Sequence, residues 1–216
     1  MVQPEQPAQP EQPGRPYGGR SKAERAAERR ERLVTATITL LGTQGEARTT
    51  MTSICVEAGL TERYFYESFR VRDEALVAAL DAVASEIADA ALVAVRASNG
   101  SPEARVRAAL GAVVDVLSTT ATKGRVLTRE SSANAALRER RQALVSWFAD
   151  FVAVQSSSLF GAAAWSGAIA AHHAIVFVAG YAELVGSWLD GDVALDRDEL
   201  VEMGADLLEA VVRRPA

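Results

Sequence analysis

From Leu33 to Val211 apolar residues recur at steps of three and four, and nowhere do they alternate with polar ones over a useful length. That is the helical period, so the chain is expected to be all-α, with about nine helices. The first is read in "AERAAERRERLVTATITLLGTQG", with Leu33, Ala36, Thr37, Leu40 and Leu41 on one face and Gly45 just past its end. A short helix follows in "TTMTSICVEAG": Thr49 or Thr50 caps it, Ile54 and Ala58 face inward, and Gly59 stops it in the left-handed conformation. Thr61 then caps a second short helix, "ERYFYESF". Two short helices joined by "GLT" make a helix-turn-helix.

A long amphipathic helix opens at Arg72, with Leu76, Leu80, Val83, Ile87, Ala91 and Val95 as its stripe, and "NGSP" breaks it. Further helices are read at 102–121, 124–132, 134–158, 164–189 and 196–213. The last is marked by Leu200, Met203, Gly204, Leu207, Leu208 and Val211. Before all of this, residues 1–20 are rich in Pro, Gln and Gly and bury too little to order themselves, so they are expected to form a disordered arm.

From Phe151 to Ala182 the chain carries no Asp, Glu, Lys or Arg, a run long enough to raise the question of a membrane span. It is interrupted by "QSSS", by Gly161, Ser166 and Gly167, and by His172 and His173, and alanine dominates it. A buried helix of a soluble protein is the expectation, with no membrane partner. The N-terminus lacks the apolar core of a signal peptide, which points to the cytoplasm. Cys55 is the only cysteine, so no intrachain disulfide forms. A small core residue and a redox sensor are the two readings of that thiol, and no second cysteine is there to resolve an oxidised one.

The net charge of −5 is unevenly spread. Residues 1–72 hold 11 Lys/Arg against 9 Asp/Glu, whereas residues 73–216 hold 12 against 19. A basic front on an acidic body suits a nucleic-acid-binding head. The aromatics sharpen that reading. Of 13 Phe, Trp and Tyr residues, four fall in "AGLTERYFYESF" at 58–69. Phe65 and Phe69 are four apart and so share the inner face of a helix too short to stand alone; Tyr64 and Tyr66 occupy other faces.

The run from Leu33 to Leu76 resembles the DNA-binding domain of TetR-family transcriptional regulators. The matching residues are Leu33, Ala36, Leu40 and Gly45; Thr49, Thr50 and Ile54; Ala58, Gly59, Leu60 and Thr61; and Phe65, Tyr66, Phe69 and Arg72. Departures are Cys55 where a small Ala is usual, Glu46 where an aromatic is common, and Arg72 in place of Lys. Glu46 leaves open how the first helix packs at its end. The resemblance implies a three-helix head over 21–71 and a larger effector-binding and dimerising body over 72–216. It places Thr50, Tyr66 and Arg72 at phosphates, and Thr52, Thr61, Glu62, Arg63 and Tyr64 at the major groove. Arg63 suits a guanine, whose O6 and N7 match its fork, or a phosphate; Glu62 suits a cytosine amine or is a solvated acid of the first turn. Tyr66 could equally be a plain surface aromatic. The arm around Arg15, Arg20 and Lys22 would track the adjacent groove or backbone.

The body is where the family diverges, so the residues themselves must speak. Trp147, Phe148, Phe151, Trp165, His172, His173, Phe177 and Tyr181 are the candidate liners of a ligand cavity, being large apolar surfaces with a few polar tips. Arg125, Arg129 and Glu130 either gate that cavity or form surface pairs. The histidines are adjacent, hence about 100° apart on a helix, and cannot share a metal; neither metal nor cofactor is expected. Helices near 164–189 and 196–213 are expected to join two copies, with Ala171, Ala179, Ala182 and Gly186 allowing close approach. The function implied is a homodimeric regulator, most often a repressor in this family, that binds a palindromic double-stranded DNA operator and is released by a small, largely apolar effector. An adaptor that kept the fold and lost the DNA is the alternative, with the basic arm and Arg63 against it. An enzyme is not expected: no Gly-rich phosphate loop follows a strand and no G-x-S-x-G occurs.

Overall fold

Ser21 and Glu24 start the first helix by capping each other: the Ser21 hydroxyl accepts the Glu24 N–H at 3.1 Å, and the Glu24 carboxylate accepts the Ser21 N–H at 2.5 Å. The computed structural model describes residues 21–214. The proposed arm at 1–20, with Arg15 and Arg20, lies outside them. Among the described residues there are nine α-helices and no strand: α1 Lys22–Gln44, α2 Met51–Ala58, α3 Glu62–Ser68, α4 Arg72–Ala97, α5 Pro102–Thr119, α6 Ala121–Thr128, α7 Ala135–Phe160, α8 Gly167–Leu189 and α9 Arg197–Val212. The all-α reading holds.

Two apolar clusters organise these helices. The smaller gathers Leu33, Leu40, Ile54, Cys55, Phe65, Phe69 and Ala75, from α1, α2, α3, the α3–α4 turn and the first turn of α4. The larger fills the body with Leu76, Leu80, Val83 and Ile87 of α4, Val114 of α5, Phe177 of α8 and Leu200 of α9. Both α1 and α4 serve both clusters, since Leu41 and Leu76 belong to the larger one. Head and body therefore share two continuous helices and no flexible linker separates them. α4 lies chiefly against α5, and α7 against α8.

Several element boundaries differ from expectation, most of all in three helices. α6 begins at Ala121 rather than 124 and ends at Thr128, with Glu130–Ser132 forming a separate 3₁₀ turn. α7 runs on to Phe160. α8 starts at Gly167 rather than 164, because the chain before it pairs with the C-terminal segment: Arg214 N–H donates to the Ala163 carbonyl at 2.8 Å and Trp165 N–H to Val212 at 3.0 Å. Gly161 and Gly167, at φ 55° and 62°, turn the backbone on either side of that segment.

By length and composition, Ala135–Ala163 and α8 are apolar enough to cross a membrane. Both also pack into the body, α8 through Ala174, Phe177, Tyr181 and Val185. Gly186 does not wait for a partner helix: a Cβ there would sit 3.1 Å from Thr128 of α6. The outer side of α8 instead carries Ile169, His172, Val176 and Gly180, all exposed. The stripe on α9 divides in the same way, with Leu200, Gly204 and Leu208 buried and Met203 and Leu207 exposed.

Candidate nucleic-acid interface and ligand cavity

The helix-turn-helix is built from local chemistry. Thr50 caps α2 by accepting the Ser53 N–H at 3.1 Å. Gly59 ends it at φ 61°, ψ 40°, a conformation costly to other residues. Arg32 of α1 clamps the turn by donating to the Ala58 carbonyl at 2.5 Å. Phe65 (fully buried) and Phe69 sit inward with ring centroids 5.5 Å apart. α3 is thus pinned by its inner aromatics while its outer side chains stay in solvent.

Of the candidate DNA residues, Thr50, Thr52, Thr61, Glu62, Arg63 and Tyr66 are exposed, as is Lys22 at the start of α1. The Arg63 side chain is 85% exposed and ion-paired with Glu67 at 3.4 Å. Tyr66 stands 58% exposed, its ring edge-on to Phe65. Thr61 occupies the cap position of α3 but its side chain accepts no capping bond, so the expected hydroxyl cap is absent there. Thr52 and Glu62 approach at 3.5 Å, which brings the outer faces of α2 and α3 together. Tyr64 is different. It is half-buried beneath the Arg29 guanidinium, 4.5 Å from the ring centre, and turns toward α1. Sequence reasoning passed over Arg48, which is exposed two residues before the Thr50 cap; a cation beside a helix N-terminus was the available signal. Cys55 is a buried thiol whose pKa is pushed up by burial and by the Glu62 charge, which makes it a poor nucleophile.

Arg72 faces carboxylates. It is ion-paired with Glu46, and with Asp73 at 3.1 Å. The Glu46 carboxylate also accepts from the Asn134 amide at 3.1 Å, while the Glu46 N–H donates to the buried Glu130 carboxylate at 2.9 Å. Here lies the packing of the first helix's end: Glu46 replaces apolar contact with a polar joint between head and body. Glu130 belongs to that joint, whereas Arg129 forms a surface pair with Asp190 at 2.9 Å. Close by, α1 crosses α6 so tightly that a Cβ on Gly42 would lie 2.5 Å from the Thr122 backbone.

The body holds a cavity of about 170 Å³ between α4, α5, α7 and α8, with Leu127 and Thr128 of α6 and Leu208 of α9 at its edge. Phe148, Phe151, Phe177 and Tyr181 line it; Trp147, Trp165, His172 and His173 do not. Trp147 is exposed and stacks outside on Phe151, while Trp165 meets His173 edge-on at 5.1 Å. His173 bonds through Nδ1 to the Val211 carbonyl, and His172 is exposed. Most of the wall is aliphatic, including Ile87, Ala91, Val106 and Leu110. Tyr181 is held by its hydroxyl, which donates to the Leu200 carbonyl at 3.3 Å, and burial pushes its pKa up to about 12. Among the described residues no three His, Cys, Asp or Glu side chains group closely enough to hold a metal ion.

No family model matches the chain, and no curated protein matches it in sequence. Solved structures do match. A TetR-family regulator from Syntrophomonas wolfei superposes with a TM-score of 0.71 at 15% identity, covering 85% of this chain and 94% of that one. FadR of Bacillus subtilis, solved with stearoyl-CoA, gives 0.67 at 13% identity, covering 84% and 97%. AibR, solved with isovaleryl coenzyme A and operator DNA, gives 0.59 at 14% identity, covering 85% and 98%. The fold of this chain is that of the TetR-like regulators.

Proposed function

We propose that the chain is a ligand-responsive transcriptional regulator of the TetR type, a cytoplasmic homodimeric repressor that binds a palindromic operator and lets go when an effector fills its body. The observation carrying this reading is the division of α3: Phe65 and Phe69 are sealed inside while Arg63 and Tyr66 stand in solvent. A helix of seven residues fastened this way presents its outer side chains as a rigid unit, which a major groove requires. Thr50 and Lys22 would hold phosphates, Arg63 a guanine, and Thr52, Thr61 and Glu62 neighbouring base edges. Tyr64 and Arg72 are spent on contacts within the chain and would act by positioning.

Dimerisation supplies the second head. The exposed apolar sides of α8 (Ile169, Val176) and α9 (Met203, Leu207) suit a four-helix seam between two copies. The effector reading rests on the cavity, whose wall is mostly hydrocarbon. Two helices connect it to the head. α4 carries Ile87 and Ala91 at the cavity and Arg72 at the joint; α6 carries Leu127 and Thr128 at the cavity and Thr122 against Gly42. Filling the cavity would shift these helices against α1 and change the spacing of the heads, which must match half-sites about 34 Å apart.

The purified protein should retard a palindromic duplex taken from the DNA beside its own reading frame, with affinity falling steeply as salt rises. Absence of any complex at low ionic strength would overturn the proposal.

A further inference from the structure

Resting on the effector reading above, we propose that the cavity selects amphipaths with an anionic head, that Arg141 binds that head, and that Glu183 holds the place until the ligand arrives.

A purely hydrocarbon effector would ask nothing of a charged side chain. Yet Arg141 of α7 stands in the wall, the one charged residue in the described lining. The other polar groups there are neutral, and two are already engaged: Thr128 donates to the Gly124 carbonyl at 2.9 Å and Tyr181 to Leu200. Gln155 and Ser156 sit about four turns farther along α7, about 21 Å from Arg141 at the helical rise. The cavity therefore has a charged end and a long, mostly apolar remainder, the shape of an acyl chain with its head at one side.

Arg141 is ion-paired with Glu183 of α8, whose side chain is 72% exposed while that of Arg141 is 32% exposed. A carboxylate so well hydrated is a weak partner, because it loses little on returning to water. A carboxylate or phosphate tethered to a buried chain comes at high local concentration and meets the same planar fork. Exchange of one anion for the other keeps Arg141 paired and returns Glu183 to water. It also removes one link between α7 and α8 at the rim, since Glu183 is the α8 side of that pair.

The shared chemistry is an anionic headgroup on a single chain, and its source is either a free carboxylate or the phosphates of a coenzyme A ester. Titration calorimetry of the full-length protein with decanoate, decanoyl-CoA and decanol separates them. At least one of the two anions should bind about tenfold or more tighter than decanol, the scale of a charge-assisted hydrogen bond. Preference for decanoate identifies the carboxylate; preference for decanoyl-CoA identifies the phosphates. Arg141→Gln should abolish the advantage. Glu183→Gln, an exposed change that leaves the fold alone, should strengthen binding of the preferred anion and leave decanol unchanged. If all three bind equally, the cavity is an effector site but the charge selection is wrong. If none binds, both this inference and the acyl-sized effector behind it fail.

Discussion

Glu46 and Arg72, 26 positions apart in sequence, are ion-paired where the end of α1 meets the start of α4, and Asn134 of α7 donates to the same Glu46 carboxylate at 3.1 Å. Head, long helix and body converge on one acid. Glu46→Gln removes one of the two carboxylates that Arg72 faces, leaving Asp73, and weakens a partly buried pair. Unfolding in urea should show a loss of about 1–3 kcal/mol. Arg72, freed from Glu46, should also reach a phosphate, so the slope of DNA affinity against salt should steepen by at most about one. An unchanged midpoint would mean that the pair contributes nothing to the joint.

Gly42 lies at one of the tightest crossings among the described residues. Alanine at this position would force its Cβ to within 2.5 Å of the Thr122 backbone, which no side-chain rotation relieves. Gly42→Ala should cost about 1–3 kcal/mol by overpacking. Thermal melting of Gly42→Ala against the wild type reads the effect of the crossing. Equal melting temperatures for variant and wild type would show that α1 and α6 part freely.

Tyr181 should titrate late for a phenol. Burial favours its neutral phenol and raises its pKa from about 10 to about 12. Because the folded pKa is the higher one, the stability it contributes is intact below about 10 and is lost as pH rises toward about 12. Tyrosinate absorbance followed with rising pH should show a late step that Tyr181→Phe deletes. Persistence of that step in the variant would place it on another tyrosine.

Much of this was legible in the sequence where the cause is local. Thr50 and Gly59 bound α2 by cap and left-handed turn, and the four-residue spacing of Phe65 and Phe69 announces an inner face. What lay hidden depends on contacts far along the chain. The start of α8 is set by pairing of residues 163–165 with 212–214, which no local pattern reveals. Aromatics drew attention to part of the cavity, namely Phe148, Phe151, Phe177 and Tyr181. Its aliphatic wall on α4 and α5 reads as ordinary core, because a cavity is a gap in packing rather than a residue type. Arg141 was missed for the same reason: beside Arg138 and Arg140 it reads as one more surface cation.

The seam between two copies should break at Val176, which is 64% exposed on the outer side of α8. Val176→Arg places a cation in the apolar face proposed for the seam, where it would be buried without a partner. Sedimentation should turn from dimer to monomer while the helical circular dichroism stays the same. A wild-type protein that sediments as a monomer would remove the dimer from the account.

The most direct test of the DNA-binding claim is fluorescence anisotropy of a labelled operator duplex titrated with wild type and with the Arg63→Ala, Tyr66→Phe double variant at one fixed salt concentration. Both side chains are exposed, so the fold should survive and only the contacts should change. The expected result is a loss of at least about tenfold in affinity, the scale of one base contact. Equal affinity for the two proteins would contradict the assignment of α3 as the helix that reads DNA.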